Sequence, residues 1–277
     1  MTDQIITMGS STIQHGPDSD RVYLMEMADN DMPNLLPSIN KLAKKENYGK
    51  IFAKVPAHWA STFTNDGFHT EALVPGLFRG EKDGHFMGKF LDQTRSIDPQ
   101  REETERILAL AKKTDIAQNN NTSKDYTIRT CTTDDCNAMA DCYKTIFPSY
   151  PFPVHDPNFL ATTMADHVTY FGVWHRGKLA ALASAEQYHQ NGNVEMTDFL
   201  TLPDHRRQGL ARELLTTMDH TLQQQGLTMA YTIARALSTG MNITFAKAGY
   251  RHGGTLTNNT QICGRIETMQ VWYKNLS

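Results

Sequence analysis

Two carboxylates, Glu195 and Asp198, sit three positions apart in VEMTDFLTL (194–202), a run with the β-branched and aromatic character of a strand that stops at Pro203. A carboxylate on a strand can take a proton from an attacking group or hold a cation. An odd separation sends the two to opposite faces of a regular strand, so only one reaches a given site unless a bulge intervenes. Directly after the strand comes Arg206-Arg207-Gln208-Gly209-Leu210-Ala211, and from Leu210 apolar residues recur at helical spacing (Leu214, Leu215, Met218, Leu222) up to Gly226, where a C-terminal cap belongs. The first turn of a helix presents unpaired N–H groups and the positive end of its dipole. With Gly209 and the small Ala211 allowing close approach and two arginines adding charge, the junction is built to hold phosphate.

The elements that must position these groups follow from the rest of the chain. Its 277 residues are enough for two domains, and 39% apolar content is compatible with real cores. A net charge of -3 with no Lys/Arg run argues against a nucleic-acid or anionic-membrane partner. No apolar run approaches the roughly 20 residues that span a bilayer, and the first residues lack the blocks of a signal peptide, so the cytoplasm is the expected location. Cys131, Cys136, Cys142 and Cys263 form no CxxC pair and no histidines stand at metal spacing; buried thiols and no metal are expected.

Residues 1–20 read as polar and turn-rich. Strands are expected at 21–27, 50–55, 69–74 and 85–91, and helices at 35–45, 58–65 and 98–117. QNNNTSK at 118–124 is the most loop-like segment and marks a boundary between a first domain, 1–118, and a second, 124–277. The second domain then reads as strand 126–130, helix 133–146, the stiff aromatic loop FPSYPFPVHDP (147–157), a helix at 159–166, a hairpin around Arg176-Gly177, and the strand-junction-helix unit above. After it come strand 228–233, helix 241–248 ended by Gly249, and strand 267–274. A weak internal repeat is visible: KIFAKV, FTNDGF, HTEAL and HFMGKFL match MAYTIA, FAKAGY, RHGGTL and ETMQVWYK in order and rough spacing.

The order of elements and the RxxGxA junction after a strand resemble the GNAT acetyltransferase superfamily over Tyr126 to Leu276. YPFPVHDP (150–157), EMTDF (195–199), AYTIARALSTGMNITFAKAGY (230–250), GTLTNNTQICGRIETMQVWYKNL (254–276), and KIFAKVPA with the GF…EALVPG pattern in the first domain are similar to the beta-lysine N-acetyltransferases. The resemblance implies an α/β fold: a mixed central sheet with two splayed strands flanked by helices, preceded by a smaller α/β domain like a degenerate half of the same fold. That smaller domain lacks a counterpart of Arg206 to Ala211. It is expected to bind no cofactor and to act by packing, homodimer formation or closing the substrate pocket.

Acetyl-CoA is the implied cosubstrate, and a small amine the implied partner: β-lysine, acetylated on its side-chain amine to a compatible solute for osmoadaptation. The alternatives are another amine or polyamine, or a non-catalytic acetyl-CoA-binding regulator. An amine of pKa about 10.4 is protonated at neutral pH, so a base is needed; Glu195 is favoured over Asp198. Backbone N–H groups near Phe199 or Leu200 would polarise the thioester carbonyl. Asn242 would bond the pantetheine arm. Phe245 occupies the place where many relatives carry a tyrosine acid, leaving Tyr250 or Tyr231 as substitutes. Tyr150, Phe152, Arg235, Asn258, Asn259 and Glu267 are the expected substrate contacts, although Asn258-Asn259 after two glycines also reads as a turn.

Overall fold

The computed structural model describes residues 3–116 and 125–277; the expected boundary at 118–124 lies outside them. Among the described residues, thirteen strands form one continuous sheet. The N-terminal half contains β1 (Gln4–Met8), β2 (Ser11–Gly16), β3 (Arg21–Glu26), α1 (Leu35–Glu46), β4 (Lys50–Pro56), α2 (Ala57–Asn65), β5 (His69–Phe78), β6 (Lys82–Phe90) and α3 (Arg101–Lys112). The C-terminal half contains β7 (Tyr126–Thr130), α4 (Cys136–Ile146), α5 (Pro157–Asp166), β8 (Val168–His175), β9 (Lys178–Tyr188), β10 (Asn193–Thr201), α6 (Leu210–Gln224), β11 (Met229–Arg235), α7 (Thr239–Lys247), β12 (Arg251–Ile262) and β13 (Arg265–Asn275).

The two halves carry the same local topology in mirrored order, β1-β2-β3-β4-β6-β5 then β12-β13-β11-β10-β9-β8-β7. In one, β3 and β4 are parallel and joined through α1; in the other, β10 and β11 are parallel and joined through α6. β4 then pairs antiparallel with β6, and β11 with β13. The four matched segments of the sequence repeat fall on β4 and β11, the ends of α2 and α7, β5 and β12, and β6 and β13. The halves meet edge to edge where Gly254 of β12 pairs with Ala72 of β5. A Cβ at Gly254 would stand 2.2 Å from the Glu71 carbonyl oxygen and 2.5 Å from Ala72 Cα, so the seam closes only over glycine.

Alternation along the strands gives each face its partner. Val22, Leu24, Ile51, Ala53 and Val55 pack under α1 and α2. Val194, Met196 and Ala230 pack under α6 and α7, joined by Ala111 of α3. The opposite faces of the two halves meet each other: Tyr23, Phe52, Val74 and Phe86 share a core with Tyr231, Leu256, Met269 and Val271, and the Phe86 and Tyr231 rings stand 5.7 Å apart. The N-terminal half thus roofs one face of the C-terminal sheet. No helix among the described residues is long and apolar enough to cross a membrane.

Two expectations are corrected here. Residues 3–20 keep turns at 9–10 and 17–20 but otherwise supply β1 and β2, because their polar side chains are satisfied by distant partners: Ser11 donates to Asp31 (2.6 Å), Gln14 accepts from Arg21 (3.0 Å) and a His15 ring nitrogen lies 3.0 Å from Tyr48 Oη. Asn258-Asn259 is not a turn but a kink inside β12, where the register with β13 shifts between Leu256 and Thr260. Asn258, at φ 44°, is held there by donating to the carbonyls of Arg95 and Ile97 (both 2.9 Å).

Candidate active site

β10 and β11 pair only from Asn193↔Met229 to Glu195↔Tyr231 and then separate, while β11 stays paired to β13 as far as Arg235↔Met269. On its other side β10 slips one residue against β9 between Thr197 and Leu200, with Asp198 at φ 56°. The bulge tilts β10 away from β11 and frees backbone groups on both edges of the resulting cleft. A groove of about 580 Å³ fills it, walled by 197–201 on one side and 232–235 on the other, with Phe245 of α7 alongside and Arg206, Arg207, Gly209, Leu210 and Ala211 at its end.

At that end Arg207 and Gly209 both adopt positive φ (64° and 78°), and Gly209 caps the fifteen-residue helix α6. No protein atom lies within 4 Å of where a Gly209 Cβ would project. Backbone N–H groups in this conformation, at a helix N-terminus and beside exposed arginines, form a concave donor set for a diphosphate. Gln208 is the member of the motif that does not line the groove.

The bulge also sets the carboxylates. Asp198 lies in the bulge itself, and its bond from Ser184, the partner of Thr197, puts its carboxylate on the face of Thr197 and Glu195 that the N-terminal half roofs. Across β9, Glu186 stands directly opposite Glu195, and Ser184 opposite Thr197. Asp198 accepts from Tyr150 Oη, from Ser184 Oγ (2.6 Å) and from Thr197 Oγ1 (3.3 Å). Burial is the leading cause that raises its pKa above the usual carboxylate value, opposed by those hydrogen bonds. Burial likewise raises Glu195, opposed chiefly by the Lys54 charge and a Tyr231 hydrogen bond. Glu186 is pushed up to about 8 by burial first and then by the charges of Glu195 and Asp198.

A second cavity, about 590 Å³, opens on Glu186, Asp198, Tyr170 and Phe152, with the exposed Glu26 and Asp166 at its rim. Asp198 borders both this cavity and the groove; Glu195 lines neither. Raised carboxyls in an enclosed space can accept protons near neutral pH and attract ammonium groups.

The remaining candidates divide. Phe199, Leu200, Phe245, Tyr150 and Arg235 line the groove and Phe152 the second cavity. Phe245 packs edge-on against Phe199 (5.5 Å) and Tyr250 (5.2 Å). Tyr250 is buried behind it and donates to Asp219 (2.7 Å), so its hydroxyl faces the core rather than the groove. Asn242 is fully buried: its Nδ2 donates to the Arg235, Ala236 and Ser238 carbonyls and its Oδ1 accepts from Trp272 Nε1. That amide braces α7 against β11 and lines no cavity described here. Glu267 accepts from Arg235 and Arg265 (2.7 Å each), and Asn258 and Asn259 lie at the seam, where Arg21 donates to the Asn259 carbonyl (2.7 Å).

Glu186 and Lys54 were not among the sequence candidates. Their signal was faint: Glu186 is a lone acid in the otherwise small and apolar LAALASAEQ, and Lys54 a lysine within the buried run KIFAKVP.

Comparison with known proteins agrees with this geometry. The model of the Acetyltransferase (GNAT) family matches residues 136–250, which include the bulge, the junction and α7. The chain is 34% identical to the beta-lysine N(6)-acetyltransferase of Methanococcus maripaludis over 98% of each protein. It is 30% identical to the enzyme of the same name from Methanosarcina mazei, over 86% of this chain and 96% of that one. It is also 30% identical to the N-acetyltransferase YodP of Bacillus subtilis, over 90% of each.

Proposed function

This chain belongs to the GNAT acetyltransferase family and uses acetyl-CoA, and we propose that its acceptor is β-lysine, acetylated on the side-chain amine within a ternary complex. The observation that carries the reading is the position of Asp198, the carboxylate bordering both the groove suited to acetyl-CoA and a cavity walled by acids. That cavity suits a substrate with two amino groups.

In this reading Arg206 to Ala211 hold the diphosphate, and the arm of the cosubstrate runs between β10 and β11. Backbone N–H groups freed by the bulge near Phe199 polarise the thioester carbonyl. Asp198 takes a proton from the substrate ammonium, the amine nitrogen bonds to the carbonyl carbon, the carbon–sulfur bond breaks, and the extra proton left on the new amide nitrogen passes to the departing thiolate. The thiol, of pKa about 8.5, leaves as thiolate without needing a tyrosine acid, consistent with Phe245 at that place and with Tyr250 turned to Asp219. Glu195, bonded by Tyr231 and within the field of the Lys54 charge, tunes the carboxylate cluster rather than touching the amine. The N-terminal half, taken as a unit of 1–118, closes the site. The product would be the compatible solute N6-acetyl-β-lysine, which places the enzyme in osmotic adaptation.

Acetyl-CoA turnover with β-lysine, α-lysine and spermidine compared side by side tests the reading. β-Lysine is expected to give the highest kcat/KM, and a higher value for spermidine would reject it.

A further inference from the structure

The sheet buries a cation that, among the described residues, meets no anion at ion-pair distance. On β4 the alternation that sends Ile51, Ala53 and Val55 under the helices turns Lys50, Phe52 and Lys54 to the inner face, against the C-terminal half. Lys50 meets Glu71 at 2.7 Å. Lys54 is only 8% exposed, yet among the described residues it makes no ion pair; its ammonium donates to Tyr231 Oη (2.9 Å) and lies over the Tyr188 ring (4.6 Å to the centroid). Burial lowers its pKa, opposed from beyond ion-pair distance by the charges of Glu195, Glu186 and Glu26. A buried ammonium with unused donors is costly unless an anion completes its shell.

A cavity of about 470 Å³ opens on this ammonium, walled also by Tyr188, Asn193 and Tyr231. It adjoins the acid-walled cavity, since Met25, Glu26, Tyr188 and Asn191 line both. The joined space therefore has Glu186 and Asp198 of the C-terminal half at one end and the buried Lys54 of the N-terminal half at the other; Glu26 lines both cavities, and Asp29, Glu81, Arg79 and Lys82 also line the Lys54 end.

We propose that Lys54 binds the substrate's carboxylate and makes the enzyme selective for a diamino acid over a diamine. The inference rests on the β-lysine reading above and adds its specificity residue: the N-terminal half supplies a ligand contact as well as a roof. A diamine without the carboxylate leaves Lys54 buried and unpaired, whereas a diamino acid spans both ends.

The test compares kcat/KM for β-lysine and 1,4-diaminopentane, the same carbon chain without the carboxylate, in the wild-type protein and in Lys54→Met. The wild type should prefer β-lysine on the order of 10- to 100-fold, as a charge-assisted contact supplies. In Lys54→Met that ratio should collapse to near one, with Lys54→Arg restoring part of it. A wild type that treats the two alike overturns the proposal, and that comparison stands even if the variants do not fold. A Lys54→Met enzyme in which both values fall with their ratio intact also overturns it, because Lys54 then acts as a structural counter-charge for Glu195. A wild type that acetylates neither compound but does acetylate another amine overturns the β-lysine reading itself, and this assignment with it.

Discussion

Asp198→Asn tests the proposed base while sparing the other duties of the bulge. Asparagine tolerates the left-handed backbone that Asp198 adopts at φ 56°, so the slip between β9 and β10 should survive. The cost to folding is confined to one acceptor turned donor: the amide must face either Tyr150 or Ser184, whose hydroxyls now donate to the carboxylate. A mismatch of that kind is worth about 1–3 kcal/mol, and hydroxyl rotation should hold it near the lower end.

The cost to catalysis is far larger. At pH 7 an amine of pKa about 10.4 is neutral in roughly one molecule in 2,500, and without a base the enzyme depends on that fraction, a loss of about 10²- to 10⁴-fold in kcat/KM. Thiol release followed across pH 6–9, with acetyl-CoA affinity by calorimetry, reads both effects. Wild-type activity should fall as pH drops through the carboxyl pKa, which is raised above its ordinary value. The variant should keep rising with pH toward the amine pKa while binding acetyl-CoA within about 3-fold of wild type, because the diphosphate junction is untouched. Retention of activity within about 5-fold at pH 7, with a pH profile parallel to wild type, would falsify the base assignment.

Glu186, with its carboxyl pushed up to about 8, should be protonated in the empty cavity at pH 7 and give up that proton to receive a substrate ammonium. Affinity for β-lysine should therefore rise with pH up to about 8, with proton release seen by calorimetry in buffers of different ionisation enthalpy; Glu186→Gln should lose both, and undiminished proton release in the variant refutes the linkage. Gly209→Val adds atoms where no protein atom stands but forces a β-branched residue to φ 78° beside the diphosphate site; acetyl-CoA Kd should rise about 10-fold or more, from a strain of about 1–2 kcal/mol and the crowding of the ligand. Gly254→Ala drives a Cβ into the backbone of β5 and should cost at least about 2 kcal/mol in urea unfolding. Gly240→Ala, in α7 with open space around its Cβ, should by contrast be neutral or stabilising by about 0.5–1 kcal/mol; equal effects at the two positions would refute the seam argument.

What the chain shows on its own is what neighbours in sequence settle between themselves. A phosphate-binding helix start needs one strand end, one glycine and a few successive N–H groups, and Arg206 to Ala211 offer all of them; the helices α1 and α6 were legible for the same reason, by the spacing of their apolar residues. The repeat was visible because corresponding strands kept similar words, KIFAKV and MAYTIA among them. Local sequence was also enough to show that Glu195 and Asp198 share a face only if a bulge lies between them.

The bulge itself depends on β9, whose Ser184 and Leu182 receive Thr197 and Leu200 with one residue between them instead of two. Tyr250 and Asn242 looked available for ligands until the fold gave their polar atoms to Asp219 and Trp272. Lys54 and Glu186 are separated by more than a hundred residues and line adjoining cavities only because the two half-sheets join at Gly254 and lay their inner faces together. Strand and helix propensities are summed over a few residues, whereas a buried charge takes its meaning from whatever the tertiary structure sets against it. That is why the sequence by itself pointed to the cosubstrate loop, and only the tertiary structure set Asp198 on the border of two cavities and Lys54 on the wall of a third beside them.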